Sequence, residues 1–307
     1  MTALFQFFLC LFSFGILVFF VLFLRQIVYL PGYKKVDPFP IFVASLLIIM
    51  LSTFWAIPVE KKNTWTPPTR KADQCAGLTA HEINFITHHN NSLYVAYKEN
   101  PAATHSKIIS YGQDLAEPEH EYDYNAFVRC LAVDNHIYAV HSLDDEIADV
   151  SANTNFANLS FTPESIAISS TLLYASGENV PYITELSIHD TPTESKFETF
   201  GPGPLNTFKD PKGIFFKDGL LYVCDRNSVL VFNNRHLIRS FGPIVNPLFV
   251  TVWKKQLVVS TLSFIFFYDL ESTTYLGVLK QVTAHSIAAS QSTLYIVDGQ
   301  SSLCVYD

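Results

Sequence analysis

Gly213-Ile-Phe-Phe-Lys-Asp-Gly-Leu-Leu-Tyr-Val223 is an apolar run, an Asp-Gly turn, and a second apolar run closing on Tyr-Val. Two β-prone runs around such a turn read as a hairpin. The same arrangement returns five times: Phe85-Ile-Thr-His-His-Asn-Asn-Ser-Leu-Tyr-Val95, Cys130-Leu-Ala-Val-Asp-Asn-His-Ile-Tyr-Ala139, Ser165-Ile-Ala-Ile-Ser-Ser-Thr-Leu-Leu-Tyr-Ala175, Phe249-Val-Thr-Val-Trp-Lys-Lys-Gln-Leu-Val-Val259 and Ser286-Ile-Ala-Ala-Ser-Gln-Ser-Thr-Leu-Tyr-Ile296. From Tyr94 through Tyr138, Tyr174, Tyr222 and Val258 to Tyr295 the spacings are 44, 36, 48, 36 and 37 residues. A period near 40 with several short strands is the signature of propeller blades. No 3.6-residue periodicity accompanies it, which excludes a helical solenoid. The fold predicted is all-β, a six-bladed β-propeller.

A third strand follows the hairpins, as in Ser228–Phe232, Phe264–Tyr268 and Ser302–Tyr306. Phe264–Tyr268 is apolar at every position, as a blade strand covered on both faces should be. The segment Asp210-Pro-Lys-Gly-Ile-Phe-Phe-Lys-Asp-Gly-Leu-Leu-Tyr-Val-Cys-Asp-Arg-Asn-Ser-Val-Leu-Val-Phe232 resembles an NHL repeat, with its Pro-x-Gly, its Tyr-Val-x-Asp strand and its Asn turn. The last copy, with Tyr295-Ile-Val-Asp298, resembles it more loosely; the others carry Lys98, His141, Gly177 or Thr261 near that Asp. The resemblance implies a six-bladed propeller and, for most members of that family, a protein-binding role.

The last copy lacks an outer strand before Asp307. Gln74–His81 is predicted to supply it and so close the ring without an open sheet edge. Cys75 would then lie beside Cys304, read as two unpaired thiols rather than a disulfide. No Cys-x-x-Cys pair is present, so a zinc ribbon is not expected.

Ahead of the repeats lie two uncharged apolar runs, Ala3–Leu24 and Ile41–Val59, of 22 and 19 residues. Each is long enough for a membrane-spanning helix. Arg25 ends the first, Trp55 and Lys61-Lys62 flank the end of the second, and Pro31-Gly32 marks a turn between them. No basic residue precedes the first run and no small-x-small site follows it, which argues against a cleaved signal peptide. Residues 1–60 therefore read as a transmembrane hairpin, 61–73 as a linker with Pro67-Pro68, and 74–307 as the propeller. The expected state is a two-pass membrane protein. The flanking charges nearly balance; with two Asn-x-Ser sequons, at Asn90 and Asn158, they place the propeller on the extracytoplasmic side in the reading adopted.

Beyond Lys71 the chain has 13 basic and 26 acidic residues. A body this acidic without a basic cluster is a poor nucleic-acid binder. No Gly-x-Ser-x-Gly, P-loop or Gly-x-Gly-x-x-Gly is present.

Polar residues recur at the entry to each inner strand: His81 or Glu82, Asn125, Glu164, Asp210, Asn246 and His285. Such a ring resembles the channel mouths of gluconolactonase- and paraoxonase-like propellers and of propeller amidating lyases, which implies a divalent cation. Calcium suits oxygen ligands, with Glu164, Asp210, Asn246 and His285 as the set. Against this, Asp210-Pro211 and Asn246-Pro247 are ordinary turn signals. His88-His89 reads as surface or turn, since neighbours on a strand point to opposite faces. Glu117-Pro-Glu-His-Glu-Tyr-Asp-Tyr124 is either a docking surface, through Glu119, Glu121, Tyr122 and Tyr124, or a solvated loop between blades. The function expected is a membrane-anchored interaction or scaffold module with a protein partner and no cofactor. The alternatives are a cation-dependent lactonase-, esterase- or lyase-like propeller and an accessory subunit of a larger membrane complex.

Overall fold

The computed structural model describes residues 65–71, 82–100, 102–112, 115, 117–141, 145–189, 191–201, 206–280, 282–299 and 302–307. Trp65–Asp307 form one compact unit. The transmembrane hairpin expected over residues 1–60 lies outside the described residues, and among those described no helix is long and apolar enough to cross a membrane.

After a short strand β1 (Arg70–Lys71) come six four-stranded antiparallel sheets. Blade 1 holds β2 (Glu82–His89), β3 (Ser92–Lys98), β4 (Ser106–Tyr111) and β5 (Pro118–Tyr124). Blade 2 holds β6 (Val128–Val133), β7 (Ile137–His141), β8 (Glu146–Asp149) and β9 (Thr154–Asn158). Blade 3 holds β10 (Pro163–Ile168), β11 (Leu172–Gly177), β12 (Ile183–Ser187) and β13 (Glu194–Phe197). Blade 4 holds β14 (Pro211–Lys217), β15 (Leu220–Asp225), β16 (Ser228–Asn233) and β17 (His236–Phe241). Blade 5 holds β18 (Phe249–Trp253), β19 (Gln256–Ser260), β20 (Phe264–Asp269) and β21 (Tyr275–Lys280). Blade 6 holds β22 (Ala284–Ala289), β23 (Leu294–Asp298) and β24 (Ser302–Tyr306), with β1 as its outer strand. Each hairpin read from the sequence is the inner pair of one blade, and the inner strands meet in ring order from β2 round to β22 and back.

The ring closes as a blade shared between distant parts of the chain, but not with the residues expected. Arg70 lies opposite Tyr306 and Lys71 opposite Val305, and Thr69 and Asp307 exchange backbone hydrogen bonds of 3.3 and 3.2 Å. The closing strand thus comes from the stretch read as linker. Gln74–His81 lies outside the described residues, as does Cys75; Cys304 is buried. The reason is visible just upstream. Trp65 packs on Phe267 of blade 5 with ring centroids 5.2 Å apart, in the space that Gly277 leaves by having no side chain. That contact sets where the incoming chain reaches β24.

Two repeated devices hold the blades. In four of the six copies the first residue faces the neighbouring blade. Ser286 Oγ accepts from the Ile86 amide at 3.1 Å, Cys130 Sγ from Ile166 at 3.3 Å, and Ser165 Oγ from Ile214 at 3.2 Å. In blade 4 that residue is Gly213, and the backbone of Leu248 approaches where a Cβ would stand. Burying these amides with a partner avoids a penalty of about 1–3 kcal/mol each. The second device explains the Asp of the repeat. Asp225 accepts from the amides of Lys209 (2.9 Å) and Asp210 (2.6 Å), and Asp298 accepts from Thr283 (3.0 Å). In both blades the carboxylate ties the incoming loop to the second strand, so the chain enters the inner strand at a fixed place.

Apolar side chains of facing blades fill the seams. Phe197 and Phe232 make edge-to-face contact at 5.1 Å between blades 3 and 4, and Phe241 and Tyr268 at 5.9 Å between blades 4 and 5.

Candidate functional site

The channel has two mouths. At the end where the inner strands begin, five of the six strands carry a register irregularity that sets one or two residues out of the ladder. The residues set apart are Asn84, Arg129, Glu164, Lys212 with Gly213, and His285. A bulge re-aims a side chain and shifts the count by one, so the ring of equivalent positions differs from the ring read off the sequence. Glu164 and His285 belong to it. Asp210 and Asn246 do not: Asp210 precedes its strand, and Asn246 is an exposed left-handed turn residue with φ of 49°. Glu82 opens β2, Asn125 follows β5, and His81 lies outside the described residues.

The missed members change the chemistry. Arg129 donates to the Glu164 carboxylate at 2.8 Å, and Lys212 pairs with Asp210 at 3.6 Å. Burial raises the Glu164 carboxyl above its ordinary range, and Arg129 and Lys212 oppose that rise. The Glu164 and Asp210 carboxylates at this mouth are thus each partnered by a side-chain cation. Among the described residues no three His, Cys, Asp or Glu side chains are grouped as a metal would need. Just below, Phe85 and Phe249, from blades 1 and 5, meet edge-to-face at 6.1 Å inside the channel. Cys130 and Cys224 are buried thiols whose pKa burial pushes up, for Cys130 to about 11, so neither is a ready nucleophile.

The other mouth, at the hairpin turns, is more open. Below the Phe85–Phe249 pair the channel holds a cavity of about 110 Å³, and this widens into a recess of about 490 Å³. The recess is walled by His88, His89, Asp134, Phe216, Lys217 and Gln291 among others, from five blades. His88 and His89 end β2 and are half-buried, deeper than the turn expected for them. Their alternation holds: His88 faces Tyr295 of blade 6 with rings 6.2 Å apart, and His89 faces Asp134 of blade 2 at 3.8 Å. Burial, then His89 and Lys217, lower the His88 pKa to about 4. Burial also lowers His89, partly offset by Asp134.

A pH dependence follows. With a folded pKa of about 4 against 6.5 unfolded, His88 binds fewer protons in the folded state between those values. Stability contributed by neutral His88 is present above about pH 6.5 and is lost as pH falls towards 4. Glu164 and Asp225, whose carboxyls burial raises, act in the opposite sense. The check is therefore a difference: chemical denaturation of His88→Gln should lose less stability than the parent chain from pH 6.5 to 4. Parallel curves would remove His88 as the cause.

The acidic-aromatic stretch is not a loop but β5, the outer strand of blade 1, with Glu119 and Glu121 exposed. Glu121 pairs with Lys107 at 2.6 Å and Glu119 accepts from Ser92 at 3.2 Å. Tyr122 and Tyr124 pack on the core between blades 1 and 2. A further pocket of about 390 Å³ opens between blades 3 and 4, where Arg235 reaches into an aromatic wall to meet the buried carboxylate of Glu185.

No family model matches the sequence, and no curated protein matches it. Among solved structures, the chain is similar to one titled "Crystal structure of Nidogen/Laminin Complex", at 16% identity and TM-score 0.56 over 69% of this chain and 87% of that one. It also matches "KlHsv2 with loop 6CD replaced by a Gly-Ser linker" at 12% identity and TM-score 0.48, over 71% and 75% of the two chains. At such identities the nidogen/laminin likeness carries the fold alone, and the chain is a six-bladed β-propeller.

Proposed function

We propose that this protein is a membrane-anchored, NHL-like propeller that binds a protein partner through the hairpin-turn mouth of its channel. The observation that carries the reading is the recess itself. Turns from five blades converge on one opening whose wall mixes imidazoles, a lysine, carboxylates and aromatic rings. A concavity with apolar walls and a few polar groups suits a protruding side chain or loop. Backbone around it is set by left-handed turn residues such as Asn90, Asn91 and Asp218, so the shape is preformed. The two apolar runs of residues 1–60 support the anchor. The resemblance to NHL repeats and the likeness to a propeller solved in a protein complex support a protein partner. The cation-dependent enzyme reading draws no support from the opposite mouth, where Arg129 pairs with Glu164 and Lys212 with Asp210.

A photo-crosslinking residue at Gln291 tests this in the full chain within its native membrane. A discrete adduct is expected, abolished by Lys217→Glu and unaffected by Asp123→Lys on the outer strand of blade 1. Adducts only from a probe at Asp123 would move the partner to the β5 edge. No adduct from either position would defeat the interaction reading.

A further inference from the structure

The six large apolar side chains that stand exposed among the described residues are not scattered. Leu237 and Ile238 lie on β17, Val245 on the connection from blade 4 to blade 5, Leu262 and Phe264 at one end of β20, and Tyr275 at the start of β21. All belong to the sector of blades 4 and 5. Val245 is 71% exposed and Leu262 68%. Phe264 and Tyr275 flank Phe266, with ring centroids 6.0 and 6.5 Å away, in an aromatic strip down the outer part of blade 5. Single exposed apolar residues need no explanation; their concentration in one sector does.

Charge separates the same sector from the rest. Between Arg226 and Lys280 the sequence has six basic residues (Arg226, Arg235, Arg239, Lys254, Lys255, Lys280) and two acidic ones (Asp269, Glu271). The whole body beyond Lys71 has 13 and 26. This one sector is net positive on a strongly negative domain. Arg226, Lys254, Lys255 and Lys280 are exposed.

The chain entering the propeller reaches blade 5 from its other side, in the seam with blade 6. Trp65 packs on Phe267, the neighbour in sequence of Phe266, on the opposite face of the same strand. Only residues 60–64 separate Trp65 from Val59, the last residue of the second apolar run. Fully extended, that connection reaches about 20 Å. An anchor in Ile41–Val59 would tether the chain at Trp65 by no more than that length.

We infer that the blade 4–5 sector is a membrane-docking face that lies against an anionic lipid surface. Leu262, Phe264 and Tyr275 enter the interface, and Lys254, Lys255 and Lys280 meet the headgroups. Aromatic and apolar side chains at headgroup level with lysines beside them are what such a surface selects. The inference rests on the anchoring proposed above and adds which way the propeller faces.

The test uses the full chain in nanodiscs of phosphatidylcholine with phosphatidylglycerol. An environment-sensitive fluorophore goes on Leu262→Cys, on Tyr275→Cys, or on Asn155→Cys in the outer strand of blade 2. With nitroxide-bearing lipids, the probes at 262 and 275 should lose most of their emission and the probe at 155 almost none. In phosphatidylcholine alone, or with Lys254→Glu and Lys255→Glu, the loss should shrink. Equal quenching at all three positions, or none at 262 and 275, would overturn the docking face. Unlabelled Leu262→Cys that forms disulfide-linked dimers under a mild oxidant, with no quenching of the labelled form, would overturn it in favour of a contact between copies. Extraction by alkaline carbonate reads the anchor separately. A chain that stays in the membrane but shows no quenching keeps the anchor and loses the docking face, whereas a chain released by carbonate loses the anchor.

Discussion

Gly213→Ala should destabilise the propeller by about 3 kcal/mol or more, at the severe end of overpacking substitutions. Gly213 is the first residue of the fourth copy, where other copies place a serine, a cysteine or a phenylalanine. A Cβ there would stand inside van der Waals contact of the Leu248 carbonyl oxygen and close to the Phe249 Cα. Those atoms are backbone, fixed by the start of β18 and by the bond from the Leu248 amide to Ser260 at 2.8 Å. Relief would require blades 4 and 5 to part. Gly277 makes a useful contrast. Its missing Cβ is filled by the Trp65 ring, a side chain at the edge of the fold that can swing aside. Urea denaturation should therefore give Gly213→Ala a markedly lower midpoint than Gly277→Ala. Equal midpoints would mean that the seam between blades 4 and 5 yields more readily than its backbone contacts imply.

Arg235→Ala should cost about 2–3 kcal/mol, below the 3–5 of a fully buried pair broken on one side because the arginine is partly solvated. The Glu185 side chain is 7% exposed, that of Arg235 47%. The guanidinium Nε donates to both carboxylate oxygens at 3.1 Å, and Nη2 donates to Glu185 and, at 2.9 Å, to Ser195 Oγ. The guanidinium also lies 5.8 Å from the Phe197 ring centroid. Arg235 comes from the β16–β17 turn and Glu185 from β12, so the pair bridges blades 3 and 4. Removing Arg235 leaves a buried carboxylate facing aromatic rings. Removing both charges, as Glu185→Leu with Arg235→Met, should recover most of the loss. A double-mutant cycle reads the coupling directly. If the double variant is as unstable as Arg235→Ala, the arginine acts through its packing on Phe197 rather than its charge.

The inner half of every blade was legible because burial on both faces leaves a dense apolar signal that turns interrupt on schedule. Leu221–Val223 on β15 is a clear case, all three residues being buried. The outer strands were not legible. Glu194–Phe197 and Thr154–Asn158 are mostly solvated, so neither apolar alternation nor a continuous run marks them. Closure through Arg70–Lys71 was missed for a related reason: two polar residues that donate only backbone bonds leave no side-chain pattern. Of the candidate ring, Glu164 and His285 stand at the irregular starts of β10 and β22. Arg129 and Lys212 were missed because a bulge changes which residue of a strand faces the opening, and a bulge has no composition of its own. His88-His89 reads as surface or turn in the sequence because strand neighbours point to opposite faces. Their half-burial depends on blades 2 and 6 closing in from either side.

The short pairing of β1 with β24 gives the ring a mechanical weak point. Residues 69–71 hold the last blade shut with a few backbone bonds, and the chain upstream of Trp65 is the lead on which any pull would act. A pull there loads the zipper between Arg70 and Tyr306 before it reaches the hydrophobic seams. That joint is where the ring would first breathe, and its amides should exchange with solvent far sooner than those of the inner strands.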